Sequence, residues 1–246
     1  MPGDDGYFDE HRAATYDDDT AVFDPAAVMP VVDFLAARAG DGEVLEFGIG
    51  TGRIALPLAR RGIRVHGIDL SGAMVRRLRS KQKGEDISVT MGDFVSTVVD
   101  GSFSLVYLVF NTIMNLTTQA AQVACFRNAA AHLGPGGHFV IEVMVPQLQR
   151  LPKGETLVAF DLSEGHWGVD RYDVVSQGLT SHHASLVDGT VELSATPFRY
   201  VWPAELDLMA QLADLTYVER WADWHRQPFT ATSNSHVSVW MKPKTG

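Results

Sequence analysis

Apolar and polar positions follow two different periods along residues 1–145. Val44–Phe47 is a short apolar run with a single carboxylate, and a glycine-rich stretch follows it at 48–52. The flanking segments 25–38 and 53–61 place their apolar residues three and four positions apart, which predicts amphipathic helices. Strands that alternate with helices indicate a parallel sheet covered by helices on both faces.

The same alternation continues towards residue 145. The segment 101–110 is almost continuously apolar, as expected for a strand that helices cover on both faces. The predicted strands are 65–69, 87–90, 101–110 and 139–145, and the predicted helices begin at Ser71 and span 120–133.

The composition changes at Pro146. From 147 to 202, glycines separate short segments of strand-like residues. The pair Asp188-Gly189 between two such segments is a strong hairpin signal. This stretch is therefore predicted to form an antiparallel sheet inserted into the α/β region.

The remaining chain returns to the first pattern. A helix is predicted at 203–213, with Pro203 in its first turn, and strands are predicted at Thr216–Trp221 and Ser235–Met241. Because the connection 222–234 shows no helical crossover, these two strands are expected to be antiparallel neighbours.

Three strand ends carry the residue types of a nucleotide-like site. The turn at 48–52 leads from a strand into a helix, so it offers backbone N–H groups and a positive helix end. Asp69 ends the second strand about 17 residues after Gly52, where a carboxylate can accept two hydrogen bonds from a ribose diol. Gly92-Asp93-Phe94 follows the third strand. Together these stretches predict an adenosine site.

Composition narrows the classes of function. The 246 residues are 46% hydrophobic and 20% charged, which is typical of an ordinary globular domain. The formal net charge of −10 argues against a nucleic-acid partner, because phosphate binding depends on Lys and Arg. No secretory signal pattern appears, and the longest apolar run, 105–116, is too short for a membrane span. We therefore expect a cytoplasmic protein with no membrane partner, in which the single cysteine, Cys125, is a core residue.

Four motifs in chain order resemble those of class I S-adenosylmethionine (SAM)-dependent methyltransferases. They are Glu46-x-Gly48-x-Gly50-x-Gly52, Asp69, Gly92-Asp93-Phe94, and Leu133-Gly134-Pro135-Gly136-Gly137 before an apolar strand. The resemblance covers about residues 40–145. It implies an α/β fold with a Rossmann-like, doubly wound, seven-stranded, mostly parallel sheet whose last strand is reversed. Residues 1–145 and 203–246 would form this core, and 146–202 an inserted antiparallel β cap over the substrate.

The resemblance also implies roles around the cofactor. Asp69 would hold the ribose hydroxyls, and Asp93 with the Phe94 N–H would bind adenine. Glu46 would orient the ammonium of SAM, or else bind the N–H groups of the turn itself. Tyr16, in an aromatic and acidic N-terminal segment, matches a tyrosine that hydrogen-bonds the methionine carboxylate. The expected cofactor-binding residues are Tyr16, Glu46, Gly48, Gly50, Gly52, Arg53, Asp69, Leu70, Met74, Gly92, Asp93, Phe94 and Phe110.

The acceptor side is less defined by the sequence. Ligands of open α/β sheets lie outside the carboxyl ends of strands, so Asn111, Met114 and Asn115 are expected to border the substrate. His182 and His183 in the predicted cap are candidate proton acceptors, and only one can face the pocket because adjacent strand residues point to opposite faces. No histidine or carboxylate spacing completes a metal site, so no metal is expected.

The predicted function is methyl transfer from SAM, giving S-adenosylhomocysteine, to a nitrogen, oxygen or carbon nucleophile of a small molecule such as a secondary metabolite. An NAD(P)-dependent oxidoreductase is an alternative, although the third glycine stands one residue early for a dinucleotide turn. A SAM-binding protein without transfer activity is a second alternative. The chain could act as a monomer or a homodimer.

Overall fold

The computed structural model describes residue 8 and residues 10–18, 23–85, 87–187 and 189–244. Short 3-10 helices lie at Tyr16–Asp18, Thr112–Asn115 and Gln147–Arg150. The α-helices are α1 (Glu10–Thr15), α2 (Pro25–Ala39), α3 (Ala55–Arg60), α4 (Gly72–Lys81), α5 (Gln119–His132) and α6 (Pro203–Gln211). Among the described residues, no helix is long and apolar enough to cross a membrane.

A seven-stranded sheet forms the centre of the molecule. Its strands are β1 (Val44–Phe47), β2 (Val65–Asp69), β3 (Ile87–Met91), β4 (Phe103–Leu108), β5 (Leu133–Met144), β10 (Thr216–Trp221) and β11 (Ser235–Met241). Their order in the sheet is β10-β11-β5-β4-β1-β2-β3. β1 pairs in parallel with β2 and β4, which brings the carboxyl ends of these strands to one edge.

Both faces of this sheet are covered, as the apolar strands predict. β4 alternates between two hydrophobic clusters: Leu105 lies with the residues of α2 and α3, and Val106 lies with those of α5 and α6. This alternation follows from the pleat, which points successive side chains to opposite faces. The doubly wound architecture predicted from the sequence is thus confirmed.

The reversed strand is β11. It pairs antiparallel with β5 on one side and with β10 on the other, so the predicted antiparallel neighbours are confirmed. The connection 222–234 contains only turns and a bridge between Trp221 and Pro228, which leaves no crossover for a parallel pairing.

A separate four-stranded antiparallel sheet follows β5, in the order β6-β7-β8-β9. Its strands are β6 (Leu157–Ser163), β7 (His166–Asp173), β8 (Gly178–Val187) and β9 (Thr190–Arg199). Val187 pairs with Thr190 where the hairpin was predicted, while Asp188 of the predicted turn lies outside the described residues. The two sheets agree with the predicted fold class, and the division into a core and a substrate cap stays a prediction.

Some boundaries differ from the prediction. β4 ends at Leu108 instead of continuing to 110, because Phe110 and Asn111 have φ values of 59° and 62°, in the left-handed region. β5 begins at Leu133, earlier than predicted, because Leu133 already pairs with Phe103.

Candidate active site

A cavity of about 580 Å³ opens at the carboxyl ends of the parallel strands. It extends from the glycine turn after β1 to β9 of the second sheet, and residues of the N-terminal segment line it as well. Its lining residues are Phe8, Tyr16, Gly48, Gly50, Asp69, Leu70, Met74, Asp93, Phe94, Thr112, Asn115, Leu116, Thr117, Ala195, Thr196 and Pro197. The structure therefore brings most of the predicted cofactor residues together.

The glycine turn contributes room to the cavity. Gly48 and Gly50 have φ values of 72° and 53°, and a Cβ on Gly48 would lie 2.9 Å from the Thr112 methyl group. The Gly48 N–H donates to the Ile68 carbonyl oxygen at 2.8 Å, and the Gly50 N–H donates to Asp69 at 2.6 Å. The expectation that the turn offers these N–H groups to a ligand is therefore wrong, since both already have acceptors within the protein.

Asp69 stands at the end of β2 with both carboxylate oxygens engaged. Oδ2 accepts from the Gly50 N–H, and Oδ1 accepts from the Ser71 N–H at 2.8 Å. These bonds fix the carboxylate in the wall of the cavity. A carboxylate has about four lone-pair sites, so this group retains acceptor capacity for ligand hydroxyls.

Asp93 and Phe94 line the cavity after β3. Asp93 Oδ1 accepts from the Val95 N–H at 2.9 Å, which forms a tight turn that directs the chain away from the strand. Phe94 stacks on Phe47, with ring centroids 5.6 Å apart, and its carbonyl oxygen accepts from the Asn128 side chain at 2.7 Å. This packing gives the cavity a rigid aromatic wall.

The N-terminal segment is held against α4 by charge. Asp17 accepts from Lys81 at 2.7 Å, from Arg77 at 3.2 Å and from the Thr51 hydroxyl at 2.6 Å. Although partial burial raises it, the hydrogen bonds from Lys81 and Thr51 hold the pKa of Asp17 below its usual value. Glu10 pairs with Arg76 in the same way.

Glu46 lies behind the glycine turn and does not line the cavity. It is 4% exposed, and the Tyr107 hydroxyl donates to it at 2.8 Å. Burial raises the pKa of Glu46 to about 8, while the Tyr107 hydrogen bond and nearby Arg53 oppose the shift. Tyr107 is a partner that the sequence pattern did not suggest.

Several other predicted cofactor residues also lie outside the lining. A Cβ on Gly52 would lie 2.2 Å from Leu78, so this glycine allows α4 to pack closely. Gly92 has a similar role, because its Cβ would lie 2.2 Å from the Thr97 hydroxyl. The Arg53 guanidinium lies over the Phe110 ring, 4.6 Å from its centroid.

Of the predicted substrate residues, Asn115 lines the cavity. Met114 is 3% exposed and belongs to the hydrophobic core. Asn111 uses its side-chain oxygen to accept from the Met144 N–H at 2.7 Å, which holds the left-handed turn after β4. Asn111 and Met114 therefore do not line the cavity, and they stabilise the structure next to it.

The two cap histidines occupy opposite faces of β8, as a strand requires. His183 pairs across the sheet with Ser194, on the face that also carries the cavity residue Thr196. His182 pairs with Ala195 and Val169 and lies on the other face. Neither histidine is in the cavity lining itself.

Part of the lining escaped the sequence reasoning. Phe8 and Thr112 stood in stretches already singled out, but Leu116, Thr117 and residues 195–197 carried no motif. Leu116 and Thr117 follow the 3-10 helix after β4. Residues 195–197 reach the cavity because β9 of the second sheet lies next to it, which no local pattern encodes.

Two further groups bear on the chemistry. In the described part of the chain, no cluster of three or more His, Cys, Asp or Glu side chains is arranged to hold a metal ion. Cys125 is fully buried, and burial raises the pKa of its thiol. A buried thiol of this kind is a core group rather than a nucleophile.

The order of motifs, the cavity at the strand ends and the reversed strand define a class I methyltransferase fold. Residues 44–137 match the family described as "Methyltransferase domain". Cypemycin N-terminal methyltransferase from Streptomyces sp is 30% identical over 96% of this chain and 98% of its own length. The chain therefore belongs to the SAM-dependent methyltransferases, and it is an enzyme.

Solved structures agree with this assignment. The CcbJ methyltransferase from Streptomyces caelestis is 38% identical, with a TM-score of 0.79 over 87% of this chain and 88% of that one. A SAM-dependent methyltransferase from Clostridium acetobutylicum ATCC 824 is 12% identical, with a TM-score of 0.76 over 94% of this chain and 99% of that one, and shows the shared fold alone. SAM is the cofactor.

The residues present fit this cofactor. Gly48 and Gly50 leave space that a side chain would fill, Asp69 supplies acceptors for hydroxyls, and Phe94 with Met74 supplies apolar contacts for a base. Among the described residues that line the cavity, the charged side chains are the acids Asp69 and Asp93, and a sulfonium cation is attracted by both.

Proposed function

We propose that this enzyme transfers the methyl group of SAM to an amine nitrogen of a small natural product. The observation that carries the proposal is a single cavity that runs from the glycine turn to β9, so donor and acceptor would share one space. Its volume of about 580 Å³ falls within the usual range of small-molecule sites, about 300–1,000 Å³.

A nitrogen acceptor is favoured over oxygen or carbon by the relative that matches nearly the whole chain. That protein, 30% identical over 96% of this chain, is named for methyl transfer to the N-terminus of cypemycin. The net charge of −10 also supports an amine, because an acidic protein attracts cationic ligands and repels anionic ones.

We assign the cofactor half to Tyr16, Asp69, Met74, Asp93 and Phe94. All five side chains line the cavity. Asp69 would bind the ribose hydroxyls, and Asp93 would accept from the adenine amine. When bound, SAM supplies a methyl group on a positively charged sulfur, which needs no further activation.

The acceptor half would be formed by Asn115, Leu116, Thr196 and Pro197. Asn115 and Thr196 carry polar groups that can hydrogen-bond an amine N–H and turn its lone pair towards the methyl group. Leu116 and Pro197 contribute apolar surface that excludes water. In this proposal, residues 146–202 are the cap that encloses the acceptor, and the enzyme acts in the cytoplasm.

The cofactor assignment is tested first by calorimetric titration with SAM, S-adenosylhomocysteine and NAD. We expect micromolar binding of both adenosyl ligands and none of NAD. Binding of NAD in place of SAM would require a dinucleotide site and would overturn the assignment.

The acceptor is tested with a panel of matched amines, alcohols and phenols, including short peptides with a free N-terminus and amino sugars. Formation of S-adenosylhomocysteine and of a methylated product is followed by mass spectrometry. We expect turnover of amines and none of their N-acetylated controls. Turnover confined to alcohols or phenols would refute the amine assignment.

A further inference from the structure

A continuous polar chain crosses the face of the second sheet that carries Thr196. His166 Nδ1 lies 2.8 Å from Asp161 Oδ2, and His166 Nε2 lies 3.0 Å from His183 Nδ1. His183 Nε2 lies 3.2 Å from the Ser181 hydroxyl. We call these four residues, Asp161, His166, His183 and Ser181, the histidine relay.

The hydrogens of the histidine relay can be placed contact by contact. An ionised Asp161 only accepts, so His166 Nδ1 donates to it. His183 Nδ1 then donates to His166 Nε2, and the Ser181 hydroxyl donates to His183 Nε2. Each of the three contacts thus holds one hydrogen.

The same three contacts can pass a proton along the histidine relay. When a proton arrives at Ser181, the Ser181 hydrogen shifts to His183 Nε2, the His183 Nδ1 hydrogen shifts to His166 Nε2, and the His166 Nδ1 hydrogen shifts to Asp161. One proton enters and one leaves, and no heavy atom has to move.

One end of the histidine relay meets the wall of the cavity. Ser181 pairs across the sheet with Thr196 on one side and with Asp170 on the other, so the three side chains share one face. Thr196 lines the cavity, and Ser181 is 7% exposed. At the other end, the Asp161 side chain is 38% exposed to solvent. The histidine relay therefore begins next to the cavity wall and ends at the surface.

We propose that the histidine relay accepts the proton released by the amine acceptor, through Thr196 and Ser181, and delivers it to solvent at Asp161. This proposal rests on the proposed function, because it assumes an acceptor nitrogen that must lose a proton. Its residues act through Thr196, so they are positioning residues and relay groups rather than direct contacts of the substrate.

The transfer balances as follows. The acceptor nitrogen, which arrives as an ammonium, first gives one N–H proton to Thr196 and Ser181, and an equivalent proton leaves from the histidine pair at Asp161. The nitrogen lone pair freed in this way then forms a bond to the methyl carbon as the carbon–sulfur bond breaks, and that bond pair stays on sulfur as a neutral thioether. The positive charge of the sulfonium thus ends on the methylated nitrogen.

The charge environment gives the chain a direction. Hydrogen bonds from His166 and Ser163 lower the pKa of Asp161, so this end does not retain the proton. Asp170 lies opposite Ser181 on the same face, and burial raises its pKa although Ser181 and nearby His182 oppose the shift. Tyr172 is a further titratable neighbour of Asp170, and burial raises the pKa of its hydroxyl to about 12, which keeps it neutral.

The test compares His183→Gln, His166→Gln and Thr196→Val with the control His225→Gln, which changes an exposed histidine outside the second sheet. The probe is the amine that the wild-type enzyme turns over best among short peptides with a free N-terminus and amino sugars. The kcat–pH profile is recorded at saturating SAM, and the Kd of SAM is measured separately by calorimetry.

We expect each relay variant to lose about 10²-fold in kcat at neutral pH, the usual scale of a proton-transfer contribution, with the Kd of SAM unchanged. The loss should shrink as pH rises, because the acceptor then arrives without its proton, and the control should follow the wild type. Relay variants with wild-type profiles, or with a loss that is equal at every pH, would overturn the proposal.

A spectroscopic measurement tests the hydrogen bonds of the histidine relay without turnover. In ¹⁵N imidazole spectra of the ligand-free protein, His166 should carry its hydrogen on Nδ1, and Asp161→Asn should change the signals of both His166 and His183. If the His183 signals are the same in Asp161→Asn as in the wild type, the relay is refuted. If the wild type methylates no amine, the proposed function fails, and this measurement still decides the relay.

Discussion

At the scale of single residues, Asp69 is the clearest contact for the cofactor. Its carboxylate lines the cavity and is fixed by the N–H groups of Gly50 and Ser71. Asp69→Ala should weaken SAM binding by roughly 1–3 kcal/mol, because ligand hydroxyls and both N–H groups lose their acceptor. Calorimetry with SAM and S-adenosylhomocysteine measures this loss. An unchanged affinity for both ligands would refute the ribose assignment.

The raised pKa of Glu46 predicts that the free energy of unfolding depends on pH. Its pKa rises from 4.5 to about 8 in the folded protein, chiefly through burial. A raised folded pKa stabilises the protein fully below the unfolded value, and this contribution disappears as pH rises through the folded value. The free energy of unfolding should therefore fall between about pH 4.5 and pH 8.

The matched variant for this prediction is Glu46→Gln, which keeps the size and an acceptor for the Tyr107 hydroxyl. Its free energy of unfolding, measured by urea denaturation across the same pH window, should vary less than that of the wild type. Identical pH dependence in both proteins would show that Glu46 ionises in the folded state as it does in the unfolded chain.

Some residues of the cavity could be predicted from the sequence, and others could not. Asp69, Asp93 and Gly48 could be predicted because each follows a strand end at a recognisable spacing. Thr196 could not, because it lies in an ordinary strand and reaches the cavity through tertiary packing alone. Glu46 was predicted to be a cofactor residue, but it lies outside the cavity lining, and its partner Tyr107 comes from a neighbouring strand.

At the scale of elements, ion pairs hold the N-terminal segment, which lines the cavity, against α4. Phe8 and Tyr16 of this segment line the cavity, and Asp17 joins it to Lys81 and Arg77. Since these ion pairs are partly exposed, each contributes about 0.2–1 kcal/mol. Their loss should make the segment leave the cavity more often.

Lys81→Glu should therefore weaken SAM binding about fivefold at low salt, which corresponds to ~1 kcal/mol. The difference from wild type should shrink at high ionic strength, because salt screens exposed pairs. Arg79→Glu is the control on the same helix, since Arg79 forms no salt bridge with the described residues. Equal effects of both variants would mean that net charge alone matters.

Elements were predicted best where local and tertiary signals agree. β10 and β11 were placed at Thr216–Trp221 and Ser235–Met241, as found, because their apolar runs end at clear breaks. The end of β4 was misplaced because Phe110 adopts a left-handed conformation that its residue type disfavours. Glu142 holds this turn by accepting from the Phe110 N–H at 2.9 Å, a contact from a strand far along the chain.

At the scale of the whole molecule, a buried hydrogen-bond network joins β9 of the second sheet to α5 and α6, which cover the first sheet. Arg199 at the end of β9 is 4% exposed and donates to Glu205 at 2.7 Å and to Gln177 at 3.0 Å. Gln122 of α5 pairs with the same guanidinium and also donates to the Arg199 carbonyl oxygen at 3.1 Å. The network lies directly after residues 195–197, so it fixes the part of β9 that lines the cavity.

Arg199→Met should therefore act on both stability and acceptor binding. Removal of one partner of a buried ion pair costs about 3–5 kcal/mol, because Glu205 keeps its charge without the guanidinium. The urea midpoint should fall accordingly, whereas Arg171→Met, an exposed arginine of β7, should change stability by about 0.5 kcal/mol at most. In the folded fraction, KM for the amine should rise while the Kd of SAM stays near that of the wild type, because the glycine turn and Asp69 belong to the first sheet. A parallel loss of SAM affinity would show instead that the two halves of the cavity do not respond separately.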